Sequence, residues 1–428
     1  MITSGSLWPG FQIGVGFHGT NRKLYGLVGR FEFGGWRWER SSFGEFVRRV
    51  ECSRVSVMMS MNEKKTKNKM TMMKKVVVET ESVSGGVDVW DADARSERES
   101  FPEHLVIMVN GLGGSANDWK YAAEQFINKF PNKVIVHRSE RNYSRLTFDG
   151  VDLMGERLAE EVLSVINRRK GVRKISFVAH SLGGLIARYA IGRLYDPENV
   201  KDFGNAKSDI DEKPQGTVAG LEPINFITVA TPHLGSRGNK QLPFLCGLPF
   251  LERSVSQTAH LFVGRTGRHL FLTDDDDGKP PLLLRMAGNH DELKFRSALG
   301  SFKRRAAYAN TNFDSMVGWR TSSIRRQHEL PEPQLHVKDE KYPHIVYVDR
   351  GNTQIIEKEP SPDARIQTDH LEEEMIRGLA QIPWERVDVS FRKSNQRYVA
   401  HTTIQVKSYW LNSDGADVVV HMIDNFVV

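Results

Sequence analysis

Three residue types at wide spacing could together carry out nucleophilic chemistry: Ser181 in "VAHSLGGLIARYAIG", Asp314 in "NTNFDSMVGWRTSS" and His401 in "RYVAHTTIQ". A serine hydroxyl attacks poorly at neutral pH. It needs a base to take its proton, an acid to orient that base, and hydrogen-bond donors for the oxyanion that forms. Ser181 stands where the β-formers of residues 174–180 give way to Leu182, Leu185, Ile186 and Tyr189 at helical spacing. A serine at such a junction is commonly just an N-cap. Here Gly183 and Gly184 remove side chains where a sharp turn and close helix–sheet packing need room, and the hydroxyl then projects beside the first N–H groups of the helix. The amide of Leu182 becomes one candidate oxyanion donor. Leu112, in the loop "NGLGG" (110–114), is the second. That loop has neither the GxxxxGK[ST] nor the GxGxxG form, which argues against a phosphate cradle.

In a doubly wound hydrolase sheet the three parts arrive in the order serine, acid, histidine, each after a strand. Asp314 follows a strand expected at 304–312. An aspartate there is often only a turn former, but its position after Ser181 favours the acid role. Asp291 and the aspartates at 274–277 are weaker candidates because they fall within an expected lid. His401 follows a strand expected at 386–391 by a loop of suitable length. Its rival, His421, sits beside Val420 and Met422 in a terminal helical pattern. His180 adjoins the serine, yet neighbouring strand side chains point to opposite faces, so packing is its expected role. His233 in "TPHLGS" is expected to be structural.

The elements that must hold these groups alternate. Strands are expected at "KVVVET" (75–80), "HLVIMVN" (104–110), "KVIVHRS" (133–139), 174–180, "NFITVATP" (225–232), 304–312 and "RVDVSF" (386–391). Helical patterns fall at 119–130, at Met154, Leu158, Val162 and Ile166, after Ser181, and at "ADVVVHMIDNFVV". Apolar strands alternating with helices predict an α/β fold with a mostly parallel, doubly wound sheet. Between 233 and 303 the pattern breaks into proline- and phenylalanine-rich pieces, read as a lid over the carboxyl ends of the strands. Residues 321–383 read as a polar insertion. The run "DDDDG" (274–278) lacks the alternating ligands of a calcium loop and reads as solvated surface.

Taken together, "IMVNGLGGSANDW", "FVAHSLGGLIARYAIGRLY", "ATPHLGS" and "VGWRTSSIRR" resemble the lipase-like serine esterases of the domain family of unknown function 676, in particular its plant members. The resemblance covers roughly residues 85–428. It implies the α/β-hydrolase fold with a lid, an acyl-lipid or other carboxylic-ester substrate, and Ser181, Asp314 and His401 as the triad. Two positions depart from the wider superfamily: Ala179 replaces the first glycine of GxSxG, and Asn110 stands where many lipases have histidine. Alanine is small enough for the turn. Asparagine changes the hydrogen bonding behind the oxyanion site.

Of the 428 residues 39% are hydrophobic, enough for a sizeable core. The excess of Lys and Arg over Asp and Glu, 59 against 53, is a property of the N-terminal stretch. Residues 1–75 hold 14 of the basic and 5 of the acidic side chains, so the balance gives no reason to expect nucleic-acid binding. That stretch is expected to lie outside the catalytic domain at 76–428. Cys52 and Cys246 provide neither a disulfide framework nor metal-ligand spacing, and no cofactor is expected. A cytoplasmic location is expected, or a chloroplast one if residues 1–60 act as a transit segment. The expected partners are a lipid or acyl-ester substrate and a membrane surface met through the lid. The rival readings are acyl transfer from the same intermediate to an alcohol, and a catalytically silent hydrolase fold used for binding.

Overall fold

The structure is a computed structural model that describes residues 78–83, 86–91, 102–198, 216–236, 264–275, 278–290, 293–351 and 370–428. The N-terminal extension at 1–75, Cys52, Cys246, residues 237–263 of the expected lid, Asp276, Asp277 and Asp291 lie outside the described residues.

In chain order the strands and α-helices are β1 (Val78–Val83), β2 (Gly86–Asp91), β3 (His104–Val109), α1 (Lys120–Lys129), β4 (Val134–Arg138), α2 (Val151–Arg168), β5 (Lys174–His180), α3 (Leu182–Leu194), β6 (Tyr195–Asp196), β7 (Thr217–Val218) and β8 (Glu222–Val229). There follow α4 (Leu282–Arg285), α5 (Phe295–Gly300), β9 (Arg304–Asn310), α6 (Trp319–Ser323), β10 (Ile345–Asp349), α7 (His370–Ala380), β11 (Glu385–Val389), α8 (Ala400–Thr403), α9 (Tyr409–Asn412) and α10 (Ala416–Asp424). The main sheet has the order β1-β2-β4-β3-β5-β8-β9-β11-β10. Its six central strands, β4 to β11, pair in parallel. Antiparallel strands close both edges. This is the α/β-hydrolase arrangement, with the strand order reversing beside β3, so that the loop after β3 and the turn after β5 share one crevice.

Strand residues alternate between two cores, as side-chain period two requires. Leu105, Ile107 and Val109 of β3, with Phe177 and Ala179 of β5, face a core shared with α2, α3, α5 and α7. Val106, Met108 and Val178 face the other, shared with α1 and α10. The amphipathic reading of α2 holds: Met154, Leu158 and Val162 are fully buried. Each such apolar side chain contributes about 1.5–3 kcal/mol on burial.

Three expectations about elements need correction. The strand expected at 75–80 is present over its described part and continues to Val83, where it forms a hairpin with β2, a stretch expected to be loop. The second concerns the stretch at 233–303, read as a lid. Its described end belongs to the body of the fold: Leu283, Met286, Phe295, Leu299 and Phe302 are buried in the α3-side core. Phe295 fills a notch left by Gly192, where an added Cβ would lie 2.3 Å from its ring. Thirdly, the polar insertion at 321–383 supplies the edge strand β10 and the helix α7, whose Met375, Ile376 and Leu379 are buried. One apolar stripe of a helix is enough for that, and average polarity hides it.

Candidate active site

The turn after β5 is strained at one residue. Ser181 has φ 54° and ψ −128°, a backbone conformation that side-chain-bearing residues rarely adopt. Its N–H is held by the carbonyl of Val229 at 2.8 Å. The glycines that follow are explained by close approach. An added Cβ at Gly183 would lie 2.6 Å from the carbonyl oxygens of Val109 and Asn110, and one at Gly184 would lie 2.2 Å from Thr231 Oγ1. Across the crevice, a Cβ at Gly111 would come within 2.9 Å of Ser181 Cβ. The two glycine-bearing segments seen in the sequence therefore meet at the serine.

From the far side of the sheet come the other two groups. Asp314 follows β9, and His401 lies in α8 after β11. His401 Nε2 is 3.0 Å from Ser181 Oγ, and His401 Nδ1 is 3.0 Å from Asp314 Oδ2. An ionised carboxylate only accepts, so the network assigns the proton to Nδ1 and leaves Nε2 to accept from the serine hydroxyl. Asp314 is buried, which by itself raises a carboxyl pKa. Coulombic attraction and a hydrogen bond from His401, with bonds from the Asn310 side chain and the Val317 amide, outweigh burial and hold it below the ordinary carboxylate value. Its Oδ1 accepts from the amides of Met316 and Val317, both at 2.9 Å.

Two supporting residues went unrecognised in the sequence. Asn310, the last residue of β9, donates to Asp314 Oδ2 at 2.8 Å and to the carbonyl of Ala400 at 3.3 Å, so it ties acid loop to histidine helix. Its one signal was its place at a strand end four residues before the acid. His180 does keep away from the serine hydroxyl, as side-chain alternation demands, and contacts the histidine instead. Its Nε2–H donates to the carbonyl of His401 at 2.8 Å, and the two rings lie 4.6 Å apart. The segment after Asp314 is clamped to β11: Trp319 Nε1 donates to Asp388 Oδ1 at 2.8 Å, and Arg325 Nη1 reaches both carboxylate oxygens, at 2.9 and 2.7 Å. That accounts for the "VGWRTSSIRR" stretch.

In the loop at 110–114 the amide of Gly113 is taken up by Thr147 Oγ1 at 2.8 Å and that of Gly114 by the carbonyl of Gly111 at 3.0 Å. Asn110 Nδ2 donates to the carbonyl of Asn142 at 2.9 Å, fixing the loop where many lipases would use histidine. The Leu182 amide opens α3 beside Ser181. Of the described rival candidates, three are engaged elsewhere. His421 Nδ1 pairs with the Tyr308 hydroxyl at 3.0 Å, His233 Nε2 pairs with Thr228 Oγ1 at 2.9 Å, and Asp274 accepts the Leu282 amide at 2.8 Å. Among the described residues no group of three or more His, Cys, Asp or Glu could hold a metal ion, and no helix is long and apolar enough to cross a membrane.

Burial keeps several histidines uncharged. His180 and His233 are held well below the ordinary histidine value of 6.5, chiefly by burial and secondarily by His401 and Arg188 respectively. His104 is pushed down to about 3 by burial and by Lys174. A folded-state pKa below the unfolded one gives stability that is complete above the unfolded value and lost as pH falls beneath it. Thermal unfolding midpoints should therefore be level above pH 7 and decline below 6.5. A midpoint unchanged down to pH 5 would contradict the neutral, buried assignment.

The family model described as "Putative serine esterase (DUF676)" matches residues 99–324, more than half of the chain. The chain belongs to this family. Among curated relatives, it is 31% identical to "Putative lipase ROG1" of Saccharomyces cerevisiae over 242 residues, which cover 56% of this chain and 31% of that protein. It is 28% identical to "Putative lipase C4A8.10" of Schizosaccharomyces pombe over 232 residues, covering 52% of this chain and 26% of that protein. The chain thus spans about a third or less of the length of these two relatives. Among solved structures it is similar to a Pyrococcus furiosus esterase, at 14% identity and a TM-score of 0.33, covering 59% of this chain and 77% of that one. A Bacillus licheniformis lipase in its mature form matches at 17% identity and a TM-score of 0.28, covering 50% and 69%.

Proposed function

We propose that this protein hydrolyses carboxylic esters of acyl lipids through a covalent acyl-enzyme, with Ser181 as nucleophile, His401 as base and acid, and Asp314 as its orienting partner. The observation that carries the reading is the continuous line from Asp314 through His401 to Ser181, with both contacts at 3.0 Å and the serine on a strained turn. His401 Nε2 takes the hydroxyl proton as Oγ attacks the ester carbonyl carbon, and the negative charge collects on the former carbonyl oxygen. In this reading the amides of Leu182 and Leu112 donate to that oxyanion. The imidazolium returns the proton to the departing alcohol, leaving the acyl group on Ser181. Water, deprotonated by the same nitrogen, then releases the acid. Apolar side chains on the acid loop, Phe313 and Met316, favour acyl chains over charged substrates.

The direct test is labelling of the full chain with a fluorophosphonate, which reacts preferentially with an activated serine hydroxyl. A single adduct on the Ser181 peptide, absent from Ser181→Ala, is the expected mass-spectrometric result. Labelling elsewhere, or none in a folded protein, would overturn the mechanism.

A further inference from the structure

We propose that the surface around the mouth of the site docks on an anionic lipid bilayer, through the two segments that carry Asp314 and His401; this rests on the acyl-lipid reading above. The chain between β11 and α10 is an excursion that positions His401 and exposes large apolar side chains. Tyr398 is 64% exposed, Tyr409 55% and Trp410 91%. On the acid loop, Phe313 and Met316 flank Asp314 and are likewise exposed. The rings of Phe313 and Tyr398 meet edge to face at 5.9 Å, so the two segments present one continuous rim.

This rim is held rigidly to the site. Asn412 of α9 donates to Thr402 Oγ1 at 3.1 Å and Thr403 Oγ1 at 3.0 Å, both in α8, which fixes Trp410 relative to His401. Tyr409 stacks on Tyr121 at 5.1 Å, while Trp410 faces outward. Isolated exposed apolar residues need no explanation, but this many on the two segments that carry Asp314 and His401 do.

Charge identifies the occupant. From Phe391 to Ser413 the chain carries Arg392, Lys393, Arg397 and Lys407 and no aspartate or glutamate. Lys407 reaches Asp118 at 3.5 Å. The guanidinium of Arg397 lies 4.7 Å from the centre of the Tyr398 ring and 5.8 Å from that of Phe313, so cation and aromatics form one unit. Arg392 and Lys393 are exposed. Aromatic rings that settle at headgroup depth, interleaved with cations that meet lipid phosphates, suit an anionic membrane surface better than a neutral one. Docking there would set the opening of the crevice against the bilayer, where a lipid ester need not cross water. The contact assigned in the sequence to a lid is thereby placed on the acid and base segments.

Co-sedimentation with phosphatidylcholine vesicles, with and without phosphatidylserine, tests this. The full chain bearing Ser181→Ala is used so that no lipid is consumed. Binding should be roughly tenfold or more tighter to the phosphatidylserine vesicles and should weaken as salt rises. Trp410→Ser, and Arg392→Ser with Lys393→Ser, should each lower it by about tenfold. With Ser181 intact, the same surface variants should leave hydrolysis of a soluble short-chain ester unchanged. Equal binding to both vesicle types, no binding, or binding indifferent to these substitutions would overturn the proposal. Loss of soluble-ester hydrolysis in the unmodified chain would instead overturn the hydrolase mechanism, and the vesicle result would still be read.

Discussion

Replacing His401 by alanine is expected to reduce kcat on a soluble short-chain ester by roughly 10⁵- to 10⁶-fold, about as much as Ser181→Ala, and the double variant should fall no further. The reason is geometric. His401 Nε2 is the imidazole nitrogen that meets Ser181 Oγ, at 3.0 Å, and without it the hydroxyl proton has no acceptor as the carbon–oxygen bond forms. Members of such a unit are not additive, because each is useless without the others. The comparison variant is His421→Ala. Its imidazole holds the Tyr308 hydroxyl beneath α10, so its loss should lower the unfolding midpoint while turnover on the folded fraction stays near normal. A His401→Ala protein that folds and keeps turnover within tenfold of the parent would remove His401 from the mechanism.

The second large effect is expected from Asp314→Asn, which preserves shape and changes only what the group can accept. The carboxylate takes hydrogen bonds from four donors: the Met316 and Val317 amides, the Asn310 side chain and His401 Nδ1. An asparagine has one carbonyl oxygen. If that oxygen serves the two backbone amides, its NH₂ faces His401 Nδ1 and favours the tautomer with the proton on Nε2, which cannot receive the serine proton. Turnover should then fall by about 10⁴-fold. An NH₂ group also opposes the Asn310 donor, so a stability loss of about 1–3 kcal/mol should accompany it. A folded Asp314→Asn enzyme within tenfold of the parent would show that the carboxylate does not set the tautomer.

What could be read from the sequence, and what could not, follows from the range of the forces involved. The turn at Ser181 was legible because it is local: a β-rich run, a serine and two glycines are the chemistry of one sharp corner. The central strands were legible because burial on both faces writes an unbroken apolar run, as at Leu105–Val109. Asp314 and His401 could be ordered after strands, but only the fold could bring them to Ser181. Asn310 and His180 escaped because their roles depend on partners far along the chain, the Asp314 carboxylate with the Ala400 carbonyl for one and the His401 carbonyl for the other. The edge-side strand β2 and α7 were missed for another reason. An edge strand shows weak alternation, and a helix that buries only Met375, Ile376 and Leu379 reads as polar when averaged with its surroundings.

The sheet order carries a consequence for when the proposed site can form. Ser181 leaves β5, at the centre of the sheet, whereas His401 arrives 220 residues later, after the last parallel strand has been laid against β9. Parallel pairings over such separations close slowly, since the chain's entropy must be surrendered before the contacts reward it. A nascent or cut chain that ends before β11 can form the corner at Ser181, but it has no group to accept that serine's proton. In the mechanism proposed above, the nucleophile therefore gains its base only once β11 has joined the sheet and α8 has come to lie beside the turn after β5.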